Sequence, residues 1–253
     1  MCVAAKFENH VTKKLFIIMK KLLLLAALFF TVNNTFAQTP EDPAQLRNEG
    51  AEALSAKNYA VAFDKFSKYL ELTNNQDSVI AFNCGVCADN IKKYADAAKY
   101  FDIAIQKNYN VTNAYVGKAG AYRDMNNNAK YVETLQEGLK AVPGNATLEK
   151  LYAIYYLKAG QAFQKKGNVA KAEENYKEIT TLQSKKWKTD ALYSLGVLFY
   201  NNGANLLKAN ATANKDKAAA DFKKANDYLE EAVALSPERA EIKKILDSVK
   251  TQL

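Results

Sequence analysis

The chain is 253 residues long, 49% apolar and 25% charged, proportions that fit one or two globular domains and argue against a disordered chain. Its 35 Lys and Arg against 27 Asp and Glu give a net charge of +8, but the lysines are scattered rather than gathered, which argues against nucleic acid as a partner. The single histidine, His10, sits near the N-terminus, so the rest of the chain cannot run Ser-His-Asp or Cys-His catalysis and lacks the commonest zinc ligand.

The first recognisable element is a leader. Lys20 and Lys21 precede an apolar run from Leu22 to Phe30, and Thr35-Phe36-Ala37 stands before Gln38. A charged start, a short apolar stretch and a small-residue site read as a secretory signal peptide over 1–37, with the natural start at Met19 and cleavage after Ala37. The run is too short to span a bilayer, so no transmembrane segment is expected in the mature chain. Cleavage removes five lysines, one glutamate and His10, and lowers the net charge from +8 to +4. No cysteine follows the run, so a lipoprotein anchor is not indicated. The expected location is outside the cytoplasm: the periplasm first, with secretion or peripheral attachment to the envelope as alternatives.

From Asp42 onward apolar residues recur at a helical period and no strand alternation is found. Turn residues arrive at hairpin spacing: Lys57-Asn58, Asn74-Asn75, Lys92-Lys93, Asn108, Asn126-Asn127-Asn128, Pro143-Gly144-Asn145, Gly167-Asn168 and Gln183-Ser184. A small residue and an aromatic return in step within this pattern. Gly50, Gly85 and Gly160 are followed twelve residues later by Ala62, Ala97 and Ala172, and four residues after those by Phe66, Phe101 and Tyr176. Gly196 heads a further copy. Self-similarity with a period near 34 residues points to stacked helical hairpins.

With these residues the chain resembles the tetratricopeptide repeat family over nearly all of its mature length. The resemblance implies an all-α, right-handed solenoid of about five hairpins with a C-terminal capping helix. The expected units are 43–76, 78–111, 112–145, 146–186 and 187–236, and the cap is 237–251. In the third unit Ala119 replaces the central glycine, Tyr131 the second small residue and Leu135 the aromatic. The fourth unit carries seven extra residues, Ala146 to Tyr152, so its first helix should be about two turns longer. In the fifth the second-helix match lies 17 residues later than an uninterrupted repeat would place it, and the added segment, Gly203 to Ala220, is expected as two helices extended to a polar tip near Asn210 to Asp216. Ser236 is expected to cap the last helix, with Pro237 opening it.

No phosphate-binding glycine loop occurs, and paired carboxylates such as Glu173-Glu174 fall on polar helix faces. An enzyme is therefore not expected, nor a cofactor or metal. Cys84-Gly85-Val86-Cys87 is a C-x-x-C in mid-helix, where disulfide geometry is hard to meet; buried small side chains are the leading reading and a labile thiol pair the alternative. Lys185-Lys186-Trp187-Lys188 reads as a solvated turn with Trp187 packed on the preceding hairpin, or as a membrane-peripheral segment. Asp77-Ser78-Val79 and Asp247-Ser248-Val249 are similar to the O-glycosylation sequence of Bacteroidetes, which fits an exported bacterial protein.

In the family, first helices line a concave groove that takes a peptide or a partner's helix. Carried over, the groove places are Arg47, Asn48 and Ala51; Val79, Phe82, Asn83 and Val86; Val116, Gly120 and Arg123; Ile154, Leu157 and Gln161; and Tyr193, Val197 and Tyr200. The chaperone-tail receptors of the family clamp a terminal carboxylate; Arg47 and Asn83 match two of their places, whereas Ala51, Asn113 and Gly117 do not. The implied function is a non-catalytic adaptor or scaffold for a protein or peptide in the bacterial envelope. The alternative is a structural component of a surface or secretion assembly that uses the convex face and the 203–220 protrusion. The oligomeric state is left open.

Overall fold

The computed structural model describes residues 41–253; the leader read at 1–37, with its start at Met19 and its cut after Ala37, lies outside the described residues. By its contacts the chain divides into a unit ending at Gln45 and a second, Leu46–Leu253. Of the first, the described part is short, and the Ala44 backbone N–H donates to Asp42 there at 3.0 Å. Everything below concerns the second.

All regular elements among the described residues are helices: α1 Pro43–Ser55, α2 Tyr59–Leu72, α3 Ser78–Asn90, α4 Tyr94–Gln106, α5 Val111–Asp124, α6 Asn128–Ala141, α7 Ala146–Lys165, α8 Val169–Thr180, α9 Lys185–Ala209, α10 Ala211–Leu235 and α11 Ala240–Lys250. From α2 to α11, each packs against its neighbours in the chain.

The hairpins share one turn. Lys57, Lys92, Asn126 and Gly167 each adopt the left-handed conformation one residue before the second helix's cap. The backbone N–H of that cap then donates to a carbonyl five residues back: Asn58 to Ala53, Lys93 to Ala88, Asn127 to Tyr122 and Asn168 to Phe163. Asn58, Asn127 and Asn168 also accept a helical N–H with their side chains, and Lys93 makes no such bond.

Between the two helices of a hairpin the glycines set the distance. A Cβ on Gly50 would lie 2.5 Å from Phe66, on Gly85 2.9 Å from Phe101 and on Gly160 2.5 Å from Tyr176, and one on Gly196 would strike Leu229. The small-plus-large spacing in the sequence is therefore the packing contact itself. In the third hairpin Ala119 and Leu135 are fully buried, while Tyr131 packs on Tyr155 of α7 with ring centroids 5.6 Å apart.

The core runs along the array as three clusters, centred on Phe66 and Phe101, on Tyr115, Leu135 and Leu148, and on Leu195, Phe222 and Leu229. Where the third hairpin meets the fourth, Glu149 is buried at 3% exposure. Gln183 and Ser184 donate their backbone N–H groups to its carboxylate at 2.7 and 3.1 Å, so this charge tethers the loop ahead of α9.

The long first helix of the fourth unit is present as α7, 20 residues. The 203–220 insertion also forms two extended helices, but its tip is Asn210 alone rather than 210–216; its side chain accepts the Ala213 N–H and starts α10 at once. Ser236 does not cap the last helix. It is buried with its hydroxyl 3.1 Å from that of Thr189, so its polar group is spent inside the core, and α11 begins three residues after Pro237 with Arg239 in the cap place. Lys185-Lys186-Trp187-Lys188 is not a turn either. Ser184 caps it at Trp187 N–H, which makes it the first turn of α9, with Trp187 partly buried against the middle cluster.

Candidate binding groove

Side chains one turn apart share a helix face, and this groups the candidate groove residues. On α3 Phe82, Val86 and Asp89 lie in such a row; on α5 Val116, Gly120 and Arg123 do. The core-facing residues of the same helices, Cys84 and Ala88 or Ala114 and Ala121, are fully buried. Of the candidate places, Arg47, Asn48, Arg123 and Gln161 are exposed, and Phe82, Asn83, Val86, Leu157, Tyr193, Val197 and Tyr200 are half-buried. Val79 is 38% exposed. None of them belongs to the fully buried core.

Each of those with a polar or ring contact is held by a residue outside the set; among the described residues no hydrogen bond, ion pair or ring contact joins one candidate to another. Arg47 lies 3.5 Å from Asp77, which also accepts the Val79 and Ile80 N–H groups and the Tyr69 hydroxyl. Phe82 stands edge-on to Phe101 and Tyr109, with centroids 5.6 and 5.9 Å away, so an aromatic wall is already fixed in place. Arg123 donates twice to Asp124, at 2.8 and 3.3 Å. Burial, and then the Asp124 carboxylate, push the Asp89 carboxyl up, with Arg123 opposing. This coupling brings the C-terminal ends of α3 and α5 into one electrostatic neighbourhood.

At the far end Tyr200 leans on Phe222, 6.0 Å between centroids. The guanidinium of Arg239 lies 5.8 Å from the Tyr193 ring and pairs with Asp190 and Glu241, so the capping helix covers part of that anchor. Asn48, Asn83 and Gln161 make no side-chain hydrogen bond among the described residues, and their amides retain both donors and acceptors for an extended backbone. The sequence reading missed Asp77, Tyr109 and Arg239. Asp77 was legible as the cap letter before α3; the other two come close only through packing between units.

Cys84 and Cys87 are free and buried. Burial, then the neighbouring Cys87, raises the Cys84 thiol far above its usual value, and burial pushes Cys87 up to about 11. The thiolate, the reactive form, is thus disfavoured at both. Among the described residues no group of three or more His, Cys, Asp or Glu is placed to hold a metal ion, and no helix is long and apolar enough to cross a membrane.

No protein-family model matches the chain, and no curated protein does. Among solved structures, a TPR repeats protein from Bacteroides fragilis NCTC 9343 is 68% identical, covers 84% of this chain and 99% of its own, and superposes with a TM-score of 0.82. MamA protein is 19% identical over 77% of this chain and 94% of its own, with a TM-score of 0.38. YrrB, described as a TPR protein with an unusual peptide-binding site, is 15% identical over 82% and 93%, with a TM-score of 0.40. The last two superpose too poorly to bear on what this chain does.

Proposed function

We propose that this chain, which belongs to the tetratricopeptide repeat family, is a non-catalytic scaffold that captures a protein or peptide in its groove, in the bacterial cell envelope. One observation carries the reading: apolar and aromatic side chains on successive first helices stay half-exposed, and the amides of Asn48, Asn83 and Gln161 beside them are unspent. Such a surface offers anchors and backbone recognition together. The envelope location rests on the leader read in the sequence. In-cell crosslinking followed by pull-down tests the reading: Asn83→Ala and Tyr200→Ala should each lose the partner while circular dichroism stays unchanged. Retention of the partner by both, or unfolding of both, would refute it.

The second reading is a structural part of a surface or secretion assembly. It is favoured by the length of α9 and α10, 25 residues each, whose shared tip at Asn210 is a further surface for assembly. Loss of the partner on shortening this arm, with groove variants silent, would select it.

A further inference from the structure

One unit carries a lysine where the others have an acidic, small or apolar side chain. Immediately before the central small residue of each unit come Glu49, Cys84, Lys118, Ala159 and Leu195. Lys118 is only 13% exposed at its side chain, in the seam between α4 and α5. Its ammonium bonds Asp102 at 2.5 Å and lies 3.8 Å from Glu137. Only the lysine is withdrawn from water, since the Asp102 and Glu137 side chains are half-exposed; burial opposes its charge, but the Asp102 hydrogen bond and the two carboxylates outweigh it and hold Lys118 protonated.

Lys118 lines a cleft of about 430 Å³ formed by α4, α5 and the start of α6, a size that suits a small ligand. Val116 and Gly120 face the groove; Lys118 and Tyr122 lie on the other side of α5, so this cleft is a separate place. Its polar lining donates. Among the described residues Lys99 and Lys130 have no carboxylate partner; their ammoniums rest over the Tyr100 and Tyr122 rings at 5.0 and 5.2 Å. Asn127 has committed its side-chain oxygen to the Lys130 N–H, which leaves the amide N–H groups as donors. The one acidic lining residue, Asp102, is consumed: one oxygen takes Lys118 and the other takes Gln106 at 2.6 Å. Tyr122 and Met125 add an apolar wall.

We propose that this cleft is a binding site for a small organic phosphate, with the phosphoryl oxygens on Lys99, Lys118 and Lys130 and the organic body against Tyr122 and Met125. A lining whose single carboxylate is already bonded through both oxygens and whose Lys99 and Lys130 ammoniums add positive charge selects an anion rich in acceptor oxygens, and the ring and thioether select a compound larger than the bare ion.

Titration calorimetry of the folded chain with phenyl phosphate, at fixed ionic strength, tests it. The wild type should bind saturably with Kd near or below about 1 mM, and Lys99→Gln/Lys130→Gln should weaken binding by about tenfold or more. Both lysines are exposed, so the double variant should keep its fold. Lys158→Gln/Lys165→Gln on α7 removes the same charge elsewhere and should leave the affinity unchanged. Absence of saturable binding, equal losses in the two double variants, or inorganic phosphate binding as tightly as phenyl phosphate would overturn the proposal.

Discussion

At the scale of single residues, the turns show where the chain holds strain. Four hairpins use the same left-handed position, filled by Asn126 and Gly167 in two and by Lys57 and Lys92 in the others. A lysine there costs about 1–2 kcal/mol more than glycine, because its Cβ crowds the carbonyl. Among the described residues Lys92 has no ion pair to lose, so Lys92→Gly should stabilise the protein by roughly 1 kcal/mol in urea unfolding, and a destabilised variant would contradict this account. Glu149 carries the opposite risk. Glu149→Ala would take the carboxylate from the Gln183 and Ser184 N–H groups in a part-buried seam and should cost about 1–3 kcal/mol. Hydrogen exchange should speed up first at the start of α9.

At the scale of elements, the spacing of small and large residues was legible because it is the contact: Gly85 and Phe101 are sixteen apart in sequence and touch across one hairpin. Helix ends that depend on local letters, such as Asp77 or Asn168, were legible too. What sequence reading placed wrongly had two causes, tertiary burial in one case and an overlooked local cap in the other. Ser236 looks like a cap until Thr189 claims its hydroxyl, and Lys185 to Lys188 look like a turn until Ser184 starts a helix beneath them. The candidate groove set rests on repeat position alone, whereas Arg239 over Tyr193 joins residues 46 apart and left no local signal. The arm gives a sharp test of the repeat register. Gly203 stands where Gly167 does in the preceding hairpin, so deleting 204–220 joins it to Asp221, which then occupies the cap place of Asn168. The shortened chain should fold with one cooperative thermal transition, as circular dichroism would show. Aggregation or loss of cooperativity would mean that the extra turns are needed to hold α9 and α10 together.

At the scale of the whole molecule, contacts run from neighbour to neighbour, so damage at an end should stay near it. Ile242, Leu246 and Val249 of α11 are buried against the last hairpin. Removing 240–253 should uncover this layer at a cost of several kcal/mol and expose α9 and α10 to hydrogen exchange, with α2 to α4 unchanged. Uniform loss of protection along the chain would show instead that the array unfolds as a single unit. The longer α7 has a last consequence, one of angular phase. Each residue turns a helix by about 100°, so seven bring the backbone round to within about 20° of where it began. The fourth unit is therefore lengthened without being rotated. Leu157 and Gln161 keep the azimuth they would have had in a shorter helix, so the proposed groove is not interrupted by the insertion. Three or five added residues would have turned those side chains away from it, so seven is a length that the proposed groove tolerates.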